Sequence, residues 1–464
     1  MDARLRDALG AGLVAGVIGG LLLWAGPSGA DTAAHVYQRW LFLRHGFVTW
    51  DNGWYSGRYV FVTYSLLYYP LAAWFGIKLL ALASIVAAAS GFALVVRWWP
   101  AAYAFAAVWG AYTLSGAYPF MLGIAFAVPA LLVRRVWLFA ILATLAWAAS
   151  PLALLLLAVV VAGLRRWRAT GVTLVLIALE VVLAHVYHGR GHFPFRWQEA
   201  LAALVFAAGG FALSRDSRLK GVFAAYAGLV LLAVLFQSQL GENAARLRFL
   251  ALPLGLLAVR GRRLSIAAPL VAVCAVYNLS PLAWSFDDGV HERAANLSYW
   301  QPAIDFLHAH NSPNFRVNAL DTVDHWEAAW IPRAGIPITR GWYRQDDFPE
   351  NAILYSAGLT RTTYLQWLHQ RAVRYVLVPH DRLDYSSRRE PALAATLPFV
   401  TRAGNVTIYE VPNPTPIVPG AQVLRVQHDR ITVRFPHAGR YTMSIRGHET
   451  YVAPRSGVIT IGLA

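Results

Sequence analysis

Apolar runs separated by short polar connections constrain this chain more than any other feature of its sequence. A membrane-spanning helix needs about 20 mostly apolar residues. On that scale we predict about eleven spans, at about 8–26, 76–96, 100–117, 119–133, 136–149, 151–164, 169–187, 198–213, 219–237, 247–260 and 264–283. The composition agrees, because 57% of the residues are hydrophobic and only 14% are charged, where soluble domains have about 25%. The sequence predicts a polytopic α-helical membrane protein.

Positive charge is concentrated in short connections on one side of the predicted spans. Residues 1–283 hold 22 Lys and Arg against 8 Asp and Glu, whereas residues 284–464 hold 18 against 16. Cytoplasmic loops of membrane proteins carry such an excess. This pattern predicts a multi-pass protein of the plasma (inner) membrane with a cytoplasmic N-terminus. These loops also account for the high isoelectric point of the chain, so we expect the lipid bilayer as a partner and no nucleic acid.

Three regions follow from the change in hydropathy along the chain. Residues 1–283 form the predicted transmembrane domain, whose long first outer loop, 27–75, contains interfacial helices at about 31–45 and 64–75. An odd number of spans places the rest of the chain outside the membrane. Residues 284–403 mix helical and strand patterns and predict an extracytoplasmic α/β region. Residues 404–464 alternate apolar and polar side chains between turns and predict an extracytoplasmic β-rich region.

Asp31 and His35 are candidates for acid–base chemistry just outside the first span. They stand four residues apart, so on a helix both side chains face the same way. A carboxylate beside a histidine at the membrane surface suits the activation of an acceptor hydroxyl. The alternative is that Asp31 only caps the following helix.

Four polar residues precede or open the tenth predicted span on the same outer side. A cation held there pairs naturally with a phosphate, and helix N-terminal amides add donors to it. The alternative is an arginine that extends to lipid headgroups. The predicted donor-phosphate residues are Arg246, Asn243, Glu242 and Arg248.

Other polar and aromatic side chains are candidates for sugar contacts. Glu180 lies within the seventh predicted span, where it either faces a polar cavity or packs as a protonated carboxyl. The segments DTVDHWEAAWIP and TRGWYRQDD combine aromatic planes with carboxylates and amides, which suits sugar rings but equally suits a protein core. The predicted acceptor-binding or sugar-binding residues are Trp50, Asn52, Trp54, Tyr64, Glu180, Trp342, Gln345 and Asp346.

Histidines and the single cysteine give no predicted metal site. His185, His188 and His192 lie close in sequence, but no acidic or cysteine ligand is near them, so surface positions are the expectation. Cys274 lies in an apolar run and has no second cysteine to pair with. We predict no certain cofactor and leave a divalent cation open.

The layout resembles the GT-C class of membrane glycosyltransferases, in an uncharacterised bacterial branch. The resemblance rests on the segments DTAAH, WDNGWYSGRYVFVTYSLLYYPL, GENAARL, GWYRQDD and YLQWLHQRAVRYVLVP. It implies an enzyme that moves a sugar, with inversion, from a polyprenyl-phosphate carrier to a cell-envelope glycan or lipid acceptor. It implies Asp31 as general base, and an outer-face arginine, Arg246, as the residue that holds the carrier phosphate.

Two other functions remain open from the sequence. A lipid or glycan transporter, or flippase, would line its pathway with Glu180, Glu242 and Arg246, although no inverted repeat is visible among the spans. A non-catalytic scaffold for envelope assembly would use Asp31 only as a helix cap. Replacing Asp31 separates an enzyme from a scaffold, because only the enzyme depends on the carboxylate.

Overall fold

The structure, a computed structural model, describes residues 2–187, 191–445 and 449–463 and divides them into two compact units. The first unit contains residues 2–30, 63–187 and 192–290, and the second contains 31–62, Gly191 and the described part of 291–464. The predicted first outer loop, 27–75, is therefore divided between the two units.

The first unit is built from helices. The α-helices are Ala3–Ala25, Tyr68–Phe75, Ile77–Val96, Trp99–Ala111, Tyr118–Leu132, Val136–Ala149, Pro151–Gly163, Trp167–Val186, Trp197–Leu213, Ser217–Leu235, Ala251–Val259 and Leu264–His291. Two 3₁₀ helices, Tyr112–Ser115 and Gly241–Leu250, complete the unit. Many large apolar side chains on these helices remain exposed, including Leu13 and Val175. Such surfaces suit contact with lipid tails.

Each of the eleven predicted spans coincides with a helical segment, but the lengths differ. In the described chain, five helices are long and apolar enough to cross a membrane: Ala3–Ala25, Ile77–Val96, Trp167–Val186, Ser217–Leu235 and Leu264–His291. These helices make the protein a membrane protein. Four others are apolar but have only 10–17 residues. The count of eleven crossings therefore stays a prediction.

Two boundaries of the predicted transmembrane domain are moved by the structure. The tenth span, predicted at 247–260, begins as the 3₁₀ helix Gly241–Leu250 and becomes an α-helix only at Ala251. The last helix does not end near 283 but continues to His291, despite Pro269 and Pro281 within it. Periodicity places helices well, but it does not fix where they end.

Close helix packing in the first unit depends on two glycines. Helix Pro151–Gly163 meets helix Ser217–Leu235 where Gly163 and Gly221 face each other. A Cβ added to Gly163 would lie 2.4 Å from the backbone of Val222, and one added to Gly221 would lie 2.2 Å from the Gly163 carbonyl oxygen. Small residues let helix backbones approach in this way in membranes.

The second unit begins with the segment that follows the first long helix. Its helices are Thr32–His45, Leu297–His310, Glu327–Arg333, Arg344–Glu350, Ala352–Tyr355, Arg361–Gln370 and Glu390–Ala394, with a 3₁₀ turn at Arg293–Ala295. The strands Trp50–Asp51 and Arg58–Tyr59 pair as a short antiparallel hairpin. Helix Arg361–Gln370 begins with a capping box, in which Thr360 and Thr363 each bond the other's backbone N–H.

Residues 50–54 are built into the second unit rather than lying as a separate loop. The Trp54 indole donates to the Ala328 carbonyl at 2.9 Å, and the Gly53 carbonyl accepts from the Ile338 N–H at 3.0 Å. The Asn52 side chain donates to the Gln427 carbonyl at 2.7 Å. These bonds reach residues far along the chain, which explains why the contacts group 31–62 with the C-terminal region.

A four-stranded sheet forms the α/β part of the second unit. Its order is Arg316–Ala319, Val373–Pro379, Val406–Glu410 and Phe399–Ala403, with the first pair parallel and the others antiparallel. The strand Val406–Glu410 was predicted in the β-rich region 404–464. It lies in the α/β sheet instead, because it pairs directly with Val373–Pro379 and buries Ile408 there.

The remaining strands form a smaller antiparallel structure. Gln422–Val426, Arg430–Phe435 and Gly457–Gly462 make one sheet, and Gly439–Met443 pairs with Glu449–Ala453. Along Arg430–Phe435 the buried residues alternate, with Ile431, Val433 and Phe435 inside, as period-two patterning requires. Trp50 joins this hydrophobic core.

We predict that Gly163→Ala destabilises the helical unit. The new methyl group meets backbone atoms, which cannot rotate away, so the two helices must separate at a cost of about 1–3 kcal/mol. The measurement is the thermal unfolding midpoint of the full chain in detergent.

Gly228→Ala is the matched control, because it lies on the partner helix, Ser217–Leu235, and nothing lies within 4 Å of its added Cβ. That variant should keep or raise the midpoint, since alanine favours helices over glycine. Equal midpoints for the two variants would contradict the close approach at Gly163.

Candidate functional site

Asp31 stands at the start of helix Thr32–His45 in the second unit. Its backbone has φ −86° and ψ 2°, and its side chain makes no capping hydrogen bond to the helix. Capping residues normally adopt extended backbone angles and accept from the second or third helical N–H. The simple capping role is therefore not what this half-buried carboxylate performs.

His35 lies one helical turn beyond Asp31 and is fully buried. Its ring centre is 6.4 Å from that of Trp342, a predicted sugar-binding residue. Trp342 in turn packs edge-on against Tyr343, whose hydroxyl accepts from the Gln38 side chain at 2.6 Å. The structure thus brings the predicted catalytic helix together with the segment GWYRQDD.

Asp346 of that segment is committed to an ion pair. Its carboxylate is 2.8 Å from the Arg58 Nε, and the Arg58 guanidinium lies 3.6 Å from the centre of the Tyr343 ring. The neighbouring Gln345 is half-buried. Of the three residues predicted here, Trp342 and Gln345 are the more accessible, and Asp346 positions Arg58.

Trp50, Asn52 and Trp54 are buried. The Trp50 indole donates to the Asn52 side-chain oxygen at 2.9 Å, and the Trp54 indole is bound to a backbone carbonyl, as described above. These bonds give the two tryptophans a structural role in the second unit, whereas Asn52 also borders a cavity.

A cavity of about 630 Å³ lies within the second unit. One wall is the C-terminal half of helix Thr32–His45, and the others come from segments near 308–313, 332–337 and 424–428. Aromatic faces, cations and amides all line it, which is a chemistry suited to a glycan or an anionic group. Sequence reasoning missed this cavity because its walls are distant in sequence; they include Tyr37, Trp40, Arg44, Asp51, Asn52 and His428.

Asp51 is the buried acid of this cavity. The Tyr37 hydroxyl donates to its carboxylate at 2.9 Å. Burial raises the pKa of Asp51 to about 6, although hydrogen bonds from Tyr37 and from the Gly53 N–H act in the opposite direction. This carboxyl therefore changes its charge in a range where most aspartates are fully ionised.

The predicted donor-phosphate residues share one segment of the first unit, the 3₁₀ helix Gly241–Leu250. Glu242 accepts two hydrogen bonds from Arg196, at 2.6 and 2.7 Å, and Arg248 pairs with Glu199 at 2.5 Å. These ion pairs hold the segment in place. A 3₁₀ run of this length is uncommon and often marks a functional position.

Arg246 contacts an amide side chain and an aromatic ring. Its Nε donates to the Asn243 side-chain oxygen at 3.0 Å, and its guanidinium lies 5.8 Å from the centre of the Phe120 ring. Arg246 and Asn243 are thus in contact, and Glu242 and Arg248 form salt bridges with Arg196 and Glu199. The role of these four residues in binding a donor phosphate stays a prediction.

Two other predicted sugar-binding residues, and the histidines considered for metal, lie away from these groups. Glu180 is half-buried and accepts from the Trp147 indole at 2.7 Å, a single neutral donor that supports helix packing. Tyr64 lies next to Thr63, where the chain returns to the first unit, and is half-buried. Of the histidines considered for metal, His185 ends helix Trp167–Val186 and His192 lies in the following loop, whereas His188 lies outside the described residues.

One acid from DTVDHWEAAWIP and one from GWYRQDD meet at a buried arginine that the sequence did not single out. Arg340 is 1% exposed and contacts Asp347 at 2.6 Å, Asp321 at 2.7 Å and Glu390 at 3.0 Å. Burial acts against the charge of Asp347, but the guanidinium outweighs it and lowers the pKa of that carboxyl. These acids stabilise the fold and are not open to a sugar.

The chain resembles solved structures only at the level of the fold. No protein-family model matches it, and no curated protein does. A cryo-EM structure of a single-substitution variant of arabinofuranosyltransferase AftD from mycobacteria has a TM-score of 0.51, with 18% identity over 91% of this chain and 42% of that chain. Unsubstituted AftD gives 0.46, with 16% identity over 90% and 41%. The chain thus shares its fold with less than half of a longer protein.

We predict that Asp51 makes stability depend on pH. Its pKa is about 6 in the folded chain against an ordinary 3.8. Because folding favours the protonated form, this stabilisation is complete below about pH 3.8 and is lost as the pH rises through about 6. Between pH 4 and 7.5 the wild type should lose about 2–3 kcal/mol that Asp51→Asn does not lose.

The measurement compares unfolding of the wild type and the variant across this pH range, so that other titrating groups cancel. Asp305→Asn, an exposed change in helix Leu297–His310, is the control and should follow the wild type. Parallel pH profiles for the wild type and Asp51→Asn would refute the raised pKa.

Proposed function

We propose that this protein is a membrane glycosyltransferase that moves a sugar from a polyprenyl-phosphate carrier to a cell-envelope glycan or lipid acceptor. The observation that carries the proposal is Asp31, a half-buried carboxylate that makes no capping bond to its own helix and lies one turn from His35. The fold shared with an arabinofuranosyltransferase supports it.

The reaction is a single displacement with inversion. Asp31 accepts the proton of the acceptor hydroxyl while the hydroxyl oxygen attacks the anomeric carbon of the donor sugar. The bond from that carbon to the carrier phosphate breaks in the same step. The polyprenyl phosphate leaves with both electrons of that bond. His35, rigidly buried in the same helix, positions Asp31 or the acceptor.

Arg246 holds the carrier phosphate in this proposal. A guanidinium matches phosphate oxygens in geometry and charge, and it stabilises the negative charge that grows on the leaving group. Asn243 orients Arg246 through its hydrogen bond, and the ion pairs of Glu242 and Arg248 fix the 3₁₀ segment that carries both.

The acceptor is a glycan that contacts Trp342, Gln345 and the cavity beside helix Thr32–His45. Trp40 offers an aromatic face there, and Asn52 and Arg44 offer donors. We further propose that the N-terminus is cytoplasmic and that the second unit works on the outer side of the plasma membrane, since the cations of the first unit cluster in the opposite connections.

We predict that Asp31→Asn abolishes transfer but not donor binding. The amide keeps the shape of the side chain but cannot take a proton, so the turnover number should fall by about 10²–10⁴-fold. The assay follows transfer of a labelled sugar from a panel of polyprenyl-phosphate sugars, including arabinofuranose, by the full chain in nanodiscs. Donor affinity is measured in parallel.

Asp305→Asn serves again as the control and should keep full activity. Unchanged turnover in Asp31→Asn would rule out Asp31 as the base, whereas no sugar transfer and no lipid movement by the wild type with any donor of the panel would favour a scaffold. Vectorial movement of the lipid without any sugar transfer by the wild type would instead favour a flippase.

A further inference from the structure

We propose that Asp321, His325 and Glu327 bind a divalent transition-metal cation in the second unit. Each residue offers one ligand atom, and the three atoms lie within 4.8 Å of one another. His325 Nδ1 is 3.6 Å from Asp321 Oδ2 and 3.7 Å from Glu327 Oε1. In a tetrahedral zinc site with bonds of about 2.1 Å, ligand atoms are about 3.4 Å apart. The two distances from His325 thus need only a small contraction to match such a site.

Two of the ligand atoms make no hydrogen bond within the described part of the chain. His325 Nδ1 and Glu327 Oε1 are buried and have no hydrogen-bond partner there. Their side chains are 7% and 1% exposed. An unsatisfied buried polar atom is unfavourable, and two that lie 3.7 Å apart need a common explanation. A shared cation supplies it.

The surrounding contacts orient the ligands. Thr322 donates its N–H and its hydroxyl to Glu327 Oε2, at 3.0 and 2.9 Å, which leaves Oε1 toward His325. Arg340 binds Asp321 at 2.7 Å. His325 has a φ of +57°, a left-handed backbone that few non-glycine residues adopt, and this turn directs its ring at the two carboxylates. Metal ligands are commonly held by such outer contacts.

The second ring nitrogen of His325, Nε2, faces the Arg344 guanidinium. Arg344 lies 3.3 Å from Nε2, but its main contact is Asp384 at 2.5 Å. The charge of Asp384 is close enough to interact with His325. Nε2 accepts from Arg344 only while the ring hydrogen is on Nδ1; when a cation occupies Nδ1, the hydrogen moves to Nε2 and Arg344, which has no acceptor, turns toward Asp384.

Charge balance favours a cation at this position. Six buried carboxyl groups of the described chain belong to the same electrostatic neighbourhood, whereas the guanidiniums there are Arg340 and Arg344. A protein interior holds such an excess of carboxyls where they are protonated or where a cation compensates them. The six are Glu292, Asp321, Glu327, Asp347, Asp384 and Glu390.

The choice of metal follows from the donor set. One imidazole with two carboxylates suits zinc or manganese rather than calcium, which prefers six to eight oxygens. We therefore assign the site to Zn²⁺ as the first probe, with Mn²⁺ and Ca²⁺ as comparisons. This assignment does not depend on the proposed transferase function.

The test is metal binding by the full chain in detergent, with any histidine tag removed and bound metal stripped by a chelator. Elemental analysis after addition of Zn²⁺ alone should find one ion per chain. His325→Gln and Glu327→Gln should each weaken binding by at least about 10-fold. His308→Gln, an exposed change on helix Leu297–His310, is the matched control and should bind as the wild type does.

A wild-type measurement covers the case in which a variant fails to fold. X-ray absorption of the zinc-loaded protein should show nitrogen and oxygen ligands at about 2.0–2.2 Å with one imidazole. Failure to retain one ion at saturating Zn²⁺, or equal retention by His325→Gln, Glu327→Gln and His308→Gln, would overturn the proposal.

Discussion

The second unit depends on one buried charge, the Arg340 guanidinium. It contacts carboxylates from three separate segments, Asp321, Asp347 and Glu390. Its nitrogens also donate to Ser386 and Ser387. Removing one partner of such a buried pair typically costs about 3–5 kcal/mol, because the remaining charges stay buried without compensation. The loop after strand Arg316–Ala319, helix Arg344–Glu350 and helix Glu390–Ala394 are therefore all bonded to the same side chain.

The proposed catalytic helix belongs to this same unit. Residues 31–62 are fixed by bonds from Asn52, Gly53 and Trp54 to segments near 328, 338 and 427. A base on a flexible loop would change its position, whereas a base at the start of a helix that is packed through the buried Tyr37 and Gln38 is held in place. Catalysis requires that precision, since small displacements of reacting groups lower rates steeply.

The helices and several strands could be predicted from the sequence because their signals are local. Apolar length located all eleven helical segments, and alternation located strands such as Arg430–Phe435. The grouping of 31–62 with the C-terminal region could not be predicted, since Asn52 meets Gln427 across 375 residues of chain. Val406–Glu410 was misplaced for the same reason, because the sheet that a strand joins depends on distant partners.

The candidate site was predicted unevenly for physical reasons. The placement of Asp31, His35 and Arg246 follows from their spacing and neighbours. The segments that contain Asp321 and Asp347 suited a sugar site and a protein core equally, because a sequence does not reveal that a buried Arg340 compensates these two carboxylates. The cavity beside helix Thr32–His45 left no local signal, since its walls come from five separate stretches of the chain.

The most direct test of the transferase account is a cryo-EM structure of the full chain with a polyprenyl-phosphate lipid bound. The account predicts phosphate density within hydrogen-bond distance of the Arg246 guanidinium, and loss of that density in Arg246→Gln with the helices unchanged. A phosphate bound elsewhere, or the same density in the variant, would contradict it.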